Sequence, residues 1–331
     1  MPRKPARDPL APLAPLLQDP DVLEIMVDGP ERVIVERKGK LEETGVKFGS
    51  EKALRAAIDA ALALGGVKFG AGETIADARL PDDSRVLGVL PPTAVNGPYL
   101  VLRKVMQRKP LTREKIIEFN AVSHEAYALL QGAIRANRNL LVAGGTGSGK
   151  TTLLNILTGE IPPEERVVTV EEFVELQPQH PHAVRLAADN VRGIAYTDVI
   201  NTAARMRPDR LVFGELRGAE TLRILEIIGF GHDGSLMTMH AGTPEDALAR
   251  VEAMCLMANL GLGLGEVRYR IASTLNLICV LRRLPNGDRR VTHLTELRGL
   301  ENDRYVLQPL LRYNPDGDKF EMTGAKPSWA A

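Results

Sequence analysis

The segment Gly144-Gly145-Thr146-Gly147-Ser148-Gly149-Lys150-Thr151 decides the fold class of this chain. It fits the pattern G-x-x-x-x-G-K-[ST], whose glycines let the backbone turn sharply and aim several N–H groups at one anion. An apolar run at 140–143 predicts a strand before it, and Lys150–Thr158 predicts a helix after it. The loop would lie at a helix N-terminus, where the helix dipole favours phosphate. We therefore expect a nucleotide site, with Thr152 grouped with the loop as a further contact.

The loop also assigns roles within that site. Lys150 would reach the β- and γ-phosphates, and the Thr151 hydroxyl would bind Mg²⁺. A dinucleotide site at this loop is disfavoured because residues 144–151 contain no G-x-G-x-x-G register. Kinases, transporter subunits and switch GTPases share the loop, so the residues downstream must decide between them.

Strand and helix patterns alternate through the second half of the chain. Strands are predicted at 139–143, 166–170, 211–213 and 235–239, and helices at 124–136, 150–158, 197–206, 219–228 and 244–257. This alternation predicts an α/β fold with a largely parallel sheet covered by helices. Asn286-Gly287 predicts a tight hairpin turn near the end.

Acidic side chains follow two of the predicted strands. Glu215 ends the run 211–213, and Glu171 and Glu172 follow the run 166–170. Because the carboxyl ends of parallel strands meet at the ligand-binding edge of a sheet, these acids should lie near the loop. We expect Glu215 to bind Mg²⁺ through water or to orient the attacking water. The alternatives are a surface glutamate for Glu215 and a solvated turn for the pair.

Two histidines flank the predicted strand 235–239. His240 follows the strand and would reach the same edge, where an imidazole could sense the γ-phosphate or order water. His232 precedes the strand and is a second candidate. A single histidine is otherwise more often structural.

Composition limits the class of protein. Of 331 residues, 44% are hydrophobic and 25% charged, and Lys+Arg and Asp+Glu are both 42. That balance argues against a nucleic-acid partner, which usually requires a basic face. Cys255 and Cys279 lie in apolar stretches and are predicted to be buried free thiols, as is usual in the cytosol.

Changes in composition and in the predicted helix and strand patterns along the chain predict five regions. Residues 1–20, with six prolines, are predicted to be a tail, and 21–104 a small α+β domain. Residues 105–118 are predicted to be a linker, 119–312 the nucleotide-binding domain and 313–331 a C-terminal tail.

The motifs together resemble the type II/type IV secretion and pilus-assembly ATPases. The loop, Glu171-Glu172, the segment from Arg207 to Gly218 and the two-histidine segment look like the Walker A, Asp box, Walker B and His box of that family, in the usual order. The match is closest to the tight-adherence (Flp-type) pilus ATPases, and residues 289–296 look like the tail strand of that branch. The resemblance covers about residues 19–310.

The resemblance implies properties that composition cannot show. It implies a RecA-like P-loop NTPase domain, a homohexameric ring and ATP bound with Mg²⁺ between the two domains. It implies a motor for pilus assembly or secretion that works with an integral inner-membrane platform protein. The location it implies is cytoplasmic, peripheral to the inner face of the cell membrane.

The resemblance also implies arginines that contact the phosphates. Arg79 and Arg85 look like the N-terminal arginines of these rings, and Arg103 is a weaker candidate. Arg217, two residues beyond Glu215, is a candidate for charge stabilisation across a subunit boundary.

The sequence departs from the family pattern at three positions. Glu172 stands where Asp is usual, Phe173 where a small residue or proline is common, and Gly242 where Asn is usual. The longer Glu172 side chain moves its carboxylate by about one bond, which affects water positioning more than nucleotide binding. Many tight-adherence relatives carry an extra N-terminal region, and the sequence leaves open whether a partner-docking region is missing here.

Other functions remain open at this point. A slow or non-hydrolysing structural subunit would use ATP only to hold a ring together. A RecA-type nucleic-acid motor would need a basic groove with stacking aromatics, yet only 4% of residues are aromatic. A small-molecule kinase would need an acceptor pocket under a lid, which no segment announces. An ABC-type ATPase would need a Leu-Ser-Gly-Gly signature, which is absent.

Overall fold

A computed structural model describes residues 8–37, 40–105, 110–189 and 192–329 of the chain. Contacts divide the chain into two compact units, Met1–Lys109 and Pro110–Ala331. The first unit is built on an antiparallel sheet and the second on a large mixed sheet.

The N-terminal unit packs two helices with a six-stranded antiparallel sheet of order β3-β2-β1-β6-β5-β4. Its elements are α1 (Ala14–Gln18), β1 (Val22–Asp28), β2 (Val33–Arg37), β3 (Lys40–Glu43), α2 (Glu51–Leu64), β4 (Ile75–Arg79), β5 (Arg85–Val89) and β6 (Tyr99–Arg103). The Ser50 side chain caps α2 by accepting from the Ala53 N–H at 3.2 Å. Leu54, Ile58 and Leu62 of α2 are buried in the core of this unit.

The prediction of a tail at 1–20 is wrong for its second half. A 3-10 turn at Ala11–Leu13 leads into α1, and Leu13 and Leu16 are buried in the core of this unit. Prolines stand at the first positions of both short elements, where proline's fixed φ starts a helix rather than preventing one. Proline content alone therefore misled the prediction.

The C-terminal unit is an α/β fold on a nine-stranded sheet of order β15-β14-β13-β12-β7-β11-β10-β8-β9. Its strands are β7 (Leu140–Gly144), β8 (Val167–Glu171), β9 (Ala183–Ala187), β10 (Arg210–Phe213), β11 (Leu236–Met239), β12 (Leu277–Arg283), β13 (Arg289–Glu301), β14 (Arg304–Asn314) and β15 (Lys319–Met322). Its helices are α3 (Arg113–Glu118), α4 (His124–Arg135), α5 (Lys150–Thr158), α6 (Tyr196–Ala204), α7 (Glu220–Gly229), α8 (Pro244–Met257) and α9 (Leu264–Thr274).

The six strands from β12 to β9 in this order run parallel, which confirms the predicted parallel sheet. Side chains of alternate residues enter two separate cores, with Leu141 and Ala143 in one and Leu140 and Val142 in the other. Burial on both faces explains why these strands are uninterrupted apolar runs. Cys255 and Cys279 are buried free thiols, as predicted.

Two predicted irregular regions contain regular structure. The predicted linker holds α3, which Thr112 caps by accepting from the Lys115 N–H at 3.4 Å and which buries Ile116. The predicted C-terminal tail holds β15, an antiparallel partner of β14. Both elements are short, so neither shows enough repeats of an apolar pattern to be found from sequence. Among the helices in the described part of the chain, none is long and apolar enough to cross a membrane.

Candidate active site

The loop between β7 and α5 has the shape of an anion nest. Gly147 and Gly149 adopt φ angles of +70° and +98°, which glycine reaches without strain. Gly144 is needed for space, because a Cβ there would lie 2.5 Å from Ser148 Oγ and 2.6 Å from the Leu281 carbonyl oxygen. The first N–H groups of α5 have no partner within the helix and face the loop. The predicted strand–loop–helix unit is therefore present.

Lys150 folds back over this loop. Its Nζ donates to the carbonyl oxygens of Gly144 at 2.9 Å and Gly145 at 3.1 Å, and the residue is only 9% exposed. Burial lowers the pKa of Lys150, while the nearby carboxylates of Glu215 and Glu175 raise it. The ammonium group is thus held beside the loop, where an incoming anion would find it in place.

Glu215 lies at the same edge of the sheet as the loop. The strands β7, β11 and β10 are adjacent and parallel, so their carboxyl ends lie side by side. The turn that carries Glu215 is fixed to both neighbours: the Gly214 N–H donates to the Val170 carbonyl at 2.9 Å, and the Leu216 N–H donates to the Thr238 carbonyl at 2.8 Å. This backbone pairing holds the carboxylate in a defined position.

Four side chains form a continuous polar row at this edge. His240 Nε2 lies 2.9 Å from Glu215 Oε1, and Arg217 Nε donates to Glu215 Oε2 at 2.7 Å. Arg217 also reaches Glu172 Oε2 at 3.4 Å, and its guanidinium lies 5.4 Å from the centre of the Phe173 ring. The structure therefore brings together four of the predicted residues, Glu172, Glu215, Arg217 and His240.

His240 is suited to remain neutral here. Burial lowers its pKa most, and the positive charge of Lys150 lowers it further, while Glu215 raises it. A neutral imidazole can donate from one ring nitrogen and accept at the other. The group can therefore order a polar network without adding a full charge to it.

Glu171 occupies a different environment from Glu172. It is 1% exposed, and its Oε1 accepts from the backbone N–H groups of Glu175 at 2.7 Å and Leu176 at 2.6 Å. Its Oε2 is buried and accepts no hydrogen bond from the described residues. Glu172, by contrast, is in reach of Arg217. Of the two predicted acids, Glu172 faces the polar row and Glu171 holds the following loop.

This burial predicts a pH-dependent stability. Burial raises the pKa of Glu171 to about 7 from 4.5, although the two N–H groups oppose the shift. The folded state then binds more protons than the unfolded state, so this residue costs stability as pH rises from about 4.5 to about 7. In Glu171→Gln, the free energy of unfolding relative to the parent should rise across that interval by up to about 3 kcal/mol. Urea unfolding at pH 5 and pH 8 measures it.

Glu164→Gln, at an exposed loop position, is the matched control and should show no such trend. The amide in Glu171→Gln does not titrate, so any other effect of the substitution on the free energy of unfolding is the same at every pH. A difference between Glu171→Gln and the parent that stays constant from pH 5 to pH 8 would contradict the account of this carboxyl group.

The structure does not bring His232 to the polar row. His232 precedes β11, and its carbonyl oxygen accepts from the Ser235 hydroxyl at 2.7 Å. Its neighbour Asp233 accepts from Asn139, which precedes β7, so this end of β11 lies at the opposite edge of the sheet. A four-residue strand separates the two edges by about 13 Å. The sequence placed both histidines beside one strand without distinguishing its ends.

Arg79 and Arg85 lie in the N-terminal unit. Arg79 pairs with Arg85 across β4 and β5, and Arg85 pairs with Arg103 across β5 and β6. Cross-strand partners share a face, so the three guanidinium groups form a row on the less buried face of this sheet. Arg79 forms an ion pair with Asp83, and Arg85 one with Asp77 at 3.5 Å.

Sequence reasoning missed two residues beside the loop. Arg283 and Arg289 flank the predicted hairpin turn, and Arg289 Nε donates to the Gly147 carbonyl oxygen at 3.1 Å. The hairpin itself was predicted, and it is present between β12 and β13. What the sequence lacked was the order of the strands, which places β12 next to β7.

Comparison with known proteins gives the family. The family described as type II/IV secretion system protein matches residues 6–306. A putative conjugal transfer protein of Mycobacterium tuberculosis is 34% identical over 302 residues, which cover 87% of this chain and 84% of that protein. The type IV secretion system protein PtlH of Bordetella pertussis is 34% identical over 242 residues, covering 64% and 71%.

Solved structures give the fold. The ATPase DotB of Legionella pneumophila is 18% identical with a TM-score of 0.61, covering 92% of this chain and 84% of that one. The pilus retraction motor PilT with bound ADP is 18% identical with a TM-score of 0.57, covering 87% and 79%. These matches do not separate the tight-adherence branch from the others, so that assignment stays a prediction. With a family match across most of its length, the chain belongs to the type II/IV secretion system protein family.

Proposed function

We propose that this chain is an ATPase subunit that hydrolyses ATP to drive a secretion or pilus-assembly machine. The observation that carries the proposal is the meeting, at one edge of a parallel sheet, of the loop with Lys150 and the polar row around Glu215. The similar proteins include a conjugal transfer protein, a type IV secretion protein and a pilus retraction motor solved with ADP. The α/β unit is inferred to be RecA-like.

The residues present fit ATP with Mg²⁺. Among the described residues, the acceptors of Lys150 Nζ are two loop carbonyls, which phosphate oxygens can replace. Glu215 Oε1 is buried, and its contact among the described residues is His240 Nε2 at 2.9 Å. The imidazole proton can lie on either ring nitrogen, so His240 can donate to this carboxylate. Thr151 and Glu215 are the residues that would hold Mg²⁺, which would supply positive charge to offset that of the phosphates.

The chain's own groups then divide the work. The loop 144–149 and Thr152 surround the phosphates, and Lys150 balances their negative charge. The Thr151 hydroxyl and Glu215 are the proposed metal-side groups, the second acting through water or on the attacking water. Glu172, Arg217 and His240 orient Glu215, while buried Glu171 positions the loop that follows β8.

We also propose that Arg79 and Arg85 contact the phosphates, as the family resemblance implies. The row formed by Arg79, Arg85 and Arg103 is exposed enough to meet an anion, and its acidic partners are surface groups. Exposed ion pairs of this kind are worth about 0–1 kcal/mol, so phosphate can displace them. The proposal rests on the family resemblance and on this row.

Substitution of these arginines tests that part of the proposal. Arg79→Ala and Arg85→Ala should each lower turnover by about tenfold or more, because positive charge at the transferring phosphate is lost. Both variants should still bind ADP and unfold as the parent does. Arg55→Ala, which removes an exposed arginine from α2, is the matched control. Unchanged turnover in both variants would remove these arginines from the site.

We further propose that the chain acts as a homohexamer, cytoplasmic and peripheral to the inner face of the cell membrane, with an integral inner-membrane platform protein as partner and no nucleic acid. The sedimentation mass should approach six times 36.1 kDa with ATP and Mg²⁺. A monomer under every nucleotide condition would contradict the ring. A ring that assembles on ATP without releasing phosphate would favour a structural subunit, which Glu172 in place of aspartate keeps open.

A further inference from the structure

The β12–β13 hairpin brings two arginines to the nucleotide loop. Strand β12 runs parallel to β7, and Leu281 pairs with Gly144 at the start of the loop. The hairpin then continues past that point, and Arg283 and Arg289 form the last strand pair before its turn. Two positive side chains are thereby carried beyond the end of β7.

Both arginines approach the middle of the loop. Arg289 Nε donates to the Gly147 carbonyl oxygen at 3.1 Å, and a Cβ on Gly149 would lie 3.4 Å from Arg289 Cδ. A Cβ on Gly147 would lie 3.9 Å from a terminal nitrogen of Arg283. The row around Glu215 is linked to the loop through Lys150, with which both Glu215 and His240 interact electrostatically.

Arg283 and Arg289 differ from the adjacent Arg290 in their charge partners. Within the described ranges, no carboxylate forms an ion pair with Arg283 or Arg289. The neighbouring Arg290 differs, since Asp288 and Asp318 both pair with it. Two exposed guanidinium groups without counter-charge beside an anion nest raise the local positive potential. A bound anion would complete this charge arrangement.

The order of the strands indicates which part of a bound nucleotide Arg283 and Arg289 would contact. Glu215 and His240 follow β10 and β11, on one side of β7, whereas the hairpin follows β12 on the other side. With the terminal phosphate and Mg²⁺ directed to Glu215, the opposite side is left for the α-phosphate and the nucleoside. Guanidinium groups suit both, because they form paired hydrogen bonds to phosphate and stack on flat rings.

We propose that Arg289, supported by Arg283, binds the α-phosphate and nucleoside side of the nucleotide. The inference rests on the proposed function, since it requires a nucleoside triphosphate or diphosphate in the loop. ADP and ATP share this part of the molecule, so the hairpin sets the affinity for both and the rate at which ADP leaves. It does not act on the terminal phosphate.

Competition against a fluorescent ADP, with the full chain, tests this. In Arg289→Ala, affinity for ADP and for a non-hydrolysable ATP analogue should fall equally, by about tenfold, because a charged hydrogen bond is lost. Inorganic pyrophosphate occupies only the phosphate positions held by the loop and Lys150, away from the α-phosphate and the nucleoside. Its affinity should therefore change by less than about twofold. KM for ATP should rise, and kcat should not fall, since ADP leaves no more slowly than in the parent. Arg289→Lys should recover only part of the affinity, because lysine keeps the charge but lacks the planar guanidinium that donates paired hydrogen bonds.

Arg312→Ala, at an exposed position on β14, is the matched control and should leave every affinity unchanged. A loss confined to the ATP analogue would move Arg289 to the terminal phosphate and overturn the proposal. Equal losses for ADP and pyrophosphate, or no loss for ADP, would overturn it too. Failure of the proposed function looks different, because the parent would then bind neither ADP nor the analogue.

Discussion

Glu215→Gln is expected to keep ATP bound and to lose turnover. The amide has nearly the shape of the carboxylate and can still accept from Arg217, so the turn after β10 should stay in place. It cannot carry the negative charge that orients a water or accepts its proton. Proton transfer by a positioned side chain is worth about 10²–10⁴ in rate, so kcat should fall by at least about 100-fold. Phosphate release at saturating ATP measures kcat.

The affinity of the same variant separates its two proposed roles. If Glu215 orients water, the Kd for ATP should change little, because the bound ground state is retained. If it acts mainly on the metal, the concentration of Mg²⁺ needed for half-maximal binding should rise. Glu164→Gln serves as the control. Hydrolysis by Glu215→Gln at the parental rate would remove Glu215 from catalysis.

Lys150→Ala should abolish nucleotide binding or weaken it severely. In the described structure, the ammonium group is already beside the loop and donates to two carbonyls that phosphate can replace. Its loss leaves the phosphate charge without its nearest cation, and charge-assisted hydrogen bonds are worth about 1.5–3 kcal/mol each. The Kd for ADP and for ATP should rise by about 100-fold or more. Calorimetric titration with each nucleotide measures it.

The stability of the nucleotide-free protein should not depend on Lys150. Burial lowers the pKa of Lys150, so its charge is not a source of stability in the absence of a ligand. Without nucleotide, Lys150→Ala should therefore unfold at about the parental temperature. Lys319→Ala, on exposed β15, is the matched control and should bind as the parent does. Parental affinity in Lys150→Ala would contradict the assignment of the loop.

Where sequence succeeded, the local signals were strong. The loop and its flanking strand and helix follow from glycine conformation and the four-residue apolar run 140–143, both of which are local properties. Glu215, Glu172 and His240 follow from one topological rule, that parallel strands end at a common edge. The family assignment was reached from the same residues and is confirmed by the match over residues 6–306.

Where sequence failed, the missing information was non-local. The approach of Arg289 to Gly147 depends on pairing between residues 142 positions apart. The different surroundings of Glu171 and Glu172 depend on which way each side chain leaves the end of β8, and identical residue types give no hint of it. His232 was misplaced because flanking a strand does not say at which end. The N-terminal helices begin at prolines and bury Leu13 and Leu16, which shows that composition does not determine packing.

The most direct test of the central claim is Mg²⁺-dependent phosphate release by the purified full chain. We expect steady release from ATP with Mg²⁺, none when Mg²⁺ is chelated, and a loss of at least about 100-fold in Glu215→Gln. ATP binding without release under any condition would contradict the motor and leave only an ATP-binding subunit. Glu172→Asp would then be the first change to make.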